Sequence, residues 1–144
     1  MKIKFIATLL LLSFFTLNIF SQNSESEVKG QLIKLFELSK AKNYEKAASL
    51  ISYDGENKER VNKDSFNPAT KEELEKVKRI CKKISALIDL SSKYEIGETK
   101  VEKINNDDSY SIDVVFTSGT QKLATTFNFI KTGKGFLLSK MNWM

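Results

Sequence analysis

The stretch SYSIDVVFTSGTQKLATTFNFIK, Ser109 to Lys131, alternates apolar and polar residues on both sides of a Gly119-Thr120 pair. A period of two is that of a β-strand, whose successive side chains point to opposite faces. Tyr110, Ile112, Val114 and Phe116 fall on one face, as do Leu123, Thr125, Phe127 and Phe129 after the turn. Ser111, Asp113 and Thr117 fall on the other, with Thr126 and Asn128. The pattern predicts an antiparallel hairpin that is apolar on one side and mostly wet on the other.

The same period extends in both directions. KYEIGETKVEKI (93–104) and GFLLSKMNW (135–143) read as two more strands, joined to the hairpin through NNDD and TGKG, so four consecutive strands form a meander. In the first of them the alternation of Tyr94 and Ile96 slips to Thr99 and Val101 across Gly97, the mark of a β-bulge.

Upstream the period changes to that of a helix. EVKGQLIKLFELSKAKN carries Val28, Leu32, Leu35, Phe36 and Leu38 on one face, with Ser24 or Ser26 to cap its start. NYEKAASLIS begins a second helix with Asn43 as cap and Tyr44, Ala47, Ala48 and Ile51 on one face, so two short helices meet near Lys42-Asn43. From Ser52 to Thr70 the period vanishes: Asp54-Gly55 is a turn signal and Pro68 disfavours helix at Asn67. A loop of that length either folds locally or borders a functional surface. Thr70 and Glu73 then form a capping-box pattern opening a third helix, striped by Leu74, Val77, Ile80, Cys81, Ile84, Leu87 and Ile88. This order predicts an α+β domain whose N-terminal helices cover one face of a curved four-stranded antiparallel sheet.

Residues 1–21 read as a signal peptide. Lys2 and Lys4 precede an apolar run from Phe5 to Phe20, and cleavage is expected at Ser21-Gln22, leaving residues 22–144 as a single domain without a membrane anchor. No cysteine lies directly after that site, between Ser21 and Glu27, so a lipoprotein is not expected, and a periplasmic or secreted location is. With Lys2 and Lys4 removed the Lys plus Arg count falls from 23 to 21 against 18 acidic residues, leaving +3 in place of +5. Such a mild, interleaved charge gives no reason to expect nucleic acid. One cysteine, Cys81, makes an internal disulfide impossible, and the absence of histidine removes the usual zinc ligands, so no metal and no cofactor are expected. On its stripe Cys81 reads as a buried core residue. TGKG reads as a hairpin turn, since it lacks the spacing of a phosphate loop.

Three blocks, FELSKAKNYEKAASLIS, YDGENKERVNKDSFNPATKEELEKVKRICKKI and FNFIKTGKGFLLSKMNW, carry a further likeness. From about Val28 to Trp143 the chain resembles the nuclear transport factor 2-like, or cystatin-like, domains of the exported bacterial type. The resemblance implies a cone between sheet and helices, and a homodimer through the sheet among its partners. Some such relatives place an Asp or His with Tyr in the cone to move protons. Here histidine is missing and Asp113 alternates onto the polar face, so no catalytic residue is assigned. The expected function is a non-catalytic accessory or protein-interaction domain of the cell envelope, with an unknown envelope protein as partner. The alternative is a module binding a small apolar ligand or peptide at the cone mouth, where Tyr44, Phe66 and Trp143 are the expected lining residues. A proton-transfer enzyme of the isomerase or dehydratase type is the least favoured reading.

Overall fold

In the computed structural model, residues 23–104 and 107–143 are described. The expected signal segment with its expected cleavage site, and Asn105-Asn106 of the NNDD connection, lie outside them. The described residues form three helices and four strands: α1 (23–40), α2 (Tyr44–Ala48), α3 (Lys71–Leu90), β1 (Lys93–Ile104), β2 (Asp107–Ser118), β3 (Gln121–Thr132) and β4 (Gly135–Trp143). This is the expected α+β class, with an open antiparallel sheet in the order β1-β2-β3-β4.

The hairpin register follows the alternation. Ile112 lies opposite Phe127, Val114 opposite Thr125 and Phe116 opposite Leu123, while Asp113 faces Thr126 on the other side. The slip read at Gly97 is present: Ile96 pairs with Val114, Thr99 pairs with Ile112, and the two residues between make the bulge. A second bulge, unforeseen, lies between Asn128 and Phe129 opposite β4, where the Ser139 hydroxyl donates to the Asn128 carbonyl at 3.0 Å.

The helices cover the apolar face. Val28, Leu32, Leu35 and Phe36 of α1 and Val77, Cys81 and Ile84 of α3 are buried in one cluster with Tyr110, Ile112, Val114, Phe116, Phe127, Phe129, Phe136 and Leu138. Phe36 sits at its centre, with ring centroids 5.4 Å from Phe127 and 6.2 Å from Phe116. The first helix is long and not short, and it stops at a left-handed residue, Lys42 (φ 54°), which lets the Asn43 N–H reach back to the Leu38 carbonyl. As expected, the Asn43 side chain then caps α2, accepting from the Lys46 N–H at 3.3 Å.

At the start of α3 the expected capping box is absent. Thr70 is the N-cap residue but its side chain makes no capping hydrogen bond. Glu73 turns instead to Arg60, whose guanidinium forks onto both carboxylate oxygens at 2.8 and 3.1 Å, and it accepts the Asn67 N–H at 2.6 Å. The physical reason is charge: a bidentate cation outbids the neutral cap donor for an ionised carboxylate. Arg60 also donates to the Ser65 carbonyl and lies over the Tyr53 ring, 4.0 Å from its centroid. Tyr53 in turn packs edge-to-face on Phe66 at 5.7 Å. The Ser52–Thr70 loop therefore folds locally around one arginine.

Candidate functional site

The burial of the α3 stripe fades toward its C-terminal end. Val77, Cys81 and Ile84 are buried, Leu87 is half-buried, and Leu90 in the last turn is 77% exposed. The helix ends there because Ser91 turns extended, and both its N–H and its hydroxyl return to the Ile88 carbonyl. Ser92 then fastens the chain to β2, its N–H and hydroxyl both donating to the Thr117 carbonyl at 2.8 and 3.0 Å. These bonds hold Leu87 and Leu90 beside the end of the β2–β3 hairpin, which turns at Gly119 in the left-handed region (φ 59°). Phe116 and its register partner Leu123 lie at that end.

The result is an open cleft of about 490 Å³ between the end of α3 and the hairpin. Phe116 is its buried floor, Leu87, Leu90 and Leu123 its apolar walls, and Ser91, Ser118, Gln121 and Lys122 its polar rim. Phe116 is held in place by Phe36 and by Tyr94, whose ring centroid is 5.9 Å away. Lys122 is the one ionisable lining residue. A carbon surface with a polar margin suits the binding of an apolar group more than proton transfer.

The residues expected at the cone mouth are not gathered in one place. Phe66 is buried against Tyr53, and Tyr44 is half-buried on α2 against the core cluster. Trp143, 51% exposed at the end of β4, lines a smaller cleft of about 210 Å³ with Ile80 and Met141, and neither Tyr44 nor Phe66 takes part in it. Of the residues of the 490 Å³ cleft, the sequence pattern marks Leu87, Phe116 and Leu123 as apolar-face positions and does not mark Leu90. The one available signal was that Leu90 continues the α3 spacing beyond Leu87.

Asp113 stands on the polar face of β2, accepting from Lys100 Nζ at 2.7 Å and from the Thr126 hydroxyl at 2.6 Å. Those two donors hold its carboxyl below the usual aspartate range. Cys81 is fully buried, and burial pushes its thiol pKa up while the nearby Ser39 hydroxyl opposes the shift. Among the described residues no group of three or more metal-ligating side chains occurs, and no helix is long and apolar enough to cross a membrane.

Compared with protein-family models, with curated proteins and with solved structures, the chain finds no match in any of the three.

Proposed function

We propose that the chain is an exported, non-catalytic interaction domain of the bacterial cell envelope, built on the nuclear transport factor 2-like plan, that seats an apolar side chain of a partner protein in the cleft floored by Phe116. The observation that carries this reading is Leu90, a leucine held almost wholly in water at the lip of an apolar hollow by the Ser91 and Ser92 hydrogen bonds. Covering one leucine side chain is worth about 2 kcal/mol, so a partner that closes the cleft gains directly from it. The non-catalytic part is supported by the lack of histidine and by Asp113, which is kept ionised on the face away from the core. Export is supported by the basic and apolar order of the first 21 residues, and the architecture by the helices packed on one side of a bulged meander.

NMR of the amide signals with short peptides bearing a single Leu, Phe or Trp tests the reading. Shifts should concentrate at Leu87, Leu90, Phe116 and Leu123 and should vanish in the Leu123→Lys protein. Absence of shifts for every peptide at millimolar concentration, or shifts unaffected by that substitution, rejects it.

A small apolar ligand is a second reading favoured by size, since about 490 Å³ lies within the roughly 300–1,000 Å³ of ordinary ligand sites. Native mass spectrometry of the protein isolated without detergent separates the two: a bound mass that Leu123→Lys removes indicates the ligand.

A further inference from the structure

The long loop and the polar face of the sheet enclose a second hollow. Arg60, fixed on Glu73, accepts at its carbonyl from the Lys63 and Asp64 N–H groups at 3.0 and 2.9 Å, and Asn62 in that turn takes the left-handed conformation (φ 60°). Lys134 Nζ then ties Asp64 to the β3–β4 turn at 2.8 Å. These bonds stand Asn62 and Lys63 as a wall beside the face of the sheet that is turned away from the helices. The trough between wall and sheet holds about 910 Å³, within the roughly 300–1,000 Å³ of ordinary ligand sites. It lies on the other face from the Phe116 cleft, at the opposite end of the β2–β3 hairpin, and the two share no lining residue.

The trough is rich in hydrogen-bond donors and poor in anions. Asn128 on its floor keeps a buried Nδ2 without a partner, and Lys140 is its register neighbour on β4. A buried donor left unpaired is costly, so a ligand acceptor that meets it gains accordingly. Asn142 and Ser109 add a second amide and a hydroxyl. Lys63, Lys131 and Lys140 also line the trough, and none of them joins an ion pair among the described residues, against a single lining carboxylate, Asp108. Amides and hydroxyls both donate and accept, as the hydroxyl groups of a sugar require, and separate ammonium groups complement carboxylates carried along a chain.

An aromatic platform adjoins this trough. The smaller cleft that contains Trp143 shares Ser139 and Lys140 with it, and Trp143 is 51% exposed there. The electron-rich face of an indole attracts the slightly positive C–H groups of a sugar ring. An acidic peptide would use the lysines and leave that ring idle. We infer that this face binds an acidic oligosaccharide, its carboxylates held by Lys63 and Lys140, its hydroxyls by Asn128 and Asn142, and one of its rings stacked on Trp143. The Phe116 cleft stays free, so the inference does not rest on the cleft reading.

Trp143 is the only tryptophan of the chain, and its fluorescence therefore reports the site directly. Titration of the purified protein with a galacturonic acid trimer should change that emission and saturate below roughly 10 mM, with amide NMR shifts at Asn128, Lys140 and Asn142. Lys63→Gln and Lys140→Gln, both at exposed positions, should each weaken binding about three- to fivefold, the value of an exposed ion pair, and added salt should weaken it further. A neutral galactose trimer lacks both pairs and should bind about tenfold more weakly. Leu123→Lys, which fills the Phe116 cleft, should leave the affinity unchanged. Absence of saturation, equal affinity for the neutral trimer, or affinity unchanged in the Lys63→Gln, Lys140→Gln double variant overturns the inference. So does a loss of binding in Leu123→Lys, or a pentaglutamate peptide that binds as tightly as the sugar.

Discussion

With Arg60 forked onto Glu73 and stacked over Tyr53, loss of the guanidinium leaves a carboxylate that is only 12% exposed without its cation. Arg60→Met should therefore destabilise the protein by about 2 kcal/mol in urea unfolding, because an unpaired, largely buried charge costs more than the bridge itself contributes. Arg60→Lys should recover less than half, since an ammonium cannot fork onto two oxygens or lie flat on a ring. A loss in Arg60→Met too small to measure would mean that the loop is held by the Tyr53–Phe66 contact and not by the ion pair. Cys81 is the contrasting case, a residue whose neighbours in sequence are basic but whose neighbours in space are apolar. Cys81→Ala should cost on the order of 1 kcal/mol, from lost transfer energy and a small cavity. A maleimide should label the thiol only in the denatured protein, and equal labelling of the native form would contradict its burial.

At the scale of elements, the bulge in β1 depends on one missing atom. A Cβ built on Gly97 would stand 2.9 Å from the Asp113 carbonyl oxygen, which is backbone and cannot swing aside. Gly97→Val should thus separate β1 from β2 locally and cost about 1–2 kcal/mol, with amide exchange accelerated at Ile96 and Val114 more than elsewhere. Uniform exchange across the sheet would instead indicate a bulge that relaxes easily. Helix α3 shows the same dependence on close neighbours. It begins after Thr70 as its pattern predicts, yet Glu73 serves Arg60 and Asn67 in place of the cap. A capping box is a local motif, and here a partner 13 residues away displaced it.

For the whole molecule, pH acts from both sides. Glu73 and Asp113 have pKa values lowered by their hydrogen-bonded partners, and the half-buried Asp64 is lowered by Lys134 at 2.8 Å. Carboxylates with depressed folded pKa values contribute stability above their unfolded values and lose it as pH falls through the folded ones. Stability should decline from about pH 5 downward. Cys81 has the opposite sign: its pKa is raised by burial, so its contribution is complete below the unfolded value and erodes as pH rises past about 8.5. Urea midpoints measured across pH should trace a dome, and Cys81→Ala should delay the first alkaline decline while leaving the acid limb unchanged. An unchanged alkaline limb in that protein would assign the decline to other groups.

The order of helices and strands, the two faces of the hairpin, the slip at Gly97, the Asn43 cap and the burial of Cys81 were all readable in the sequence. Each depends on spacing between residues close along the chain, where the periods of 3.6 and 2 translate directly into faces. Only the tertiary structure decided that Glu73 pairs with Arg60, that Leu90 lies beside Phe116 at the hairpin, that Phe66 faces Tyr53, and that Leu138 of β4 exchanges hydrogen bonds with Leu50 and Ser52. These outcomes depend on which segments distant along the chain meet in the fold. A periodic pattern states that a residue is apolar and which way it points, but the presence of an atom on the other side is a property of the packed molecule.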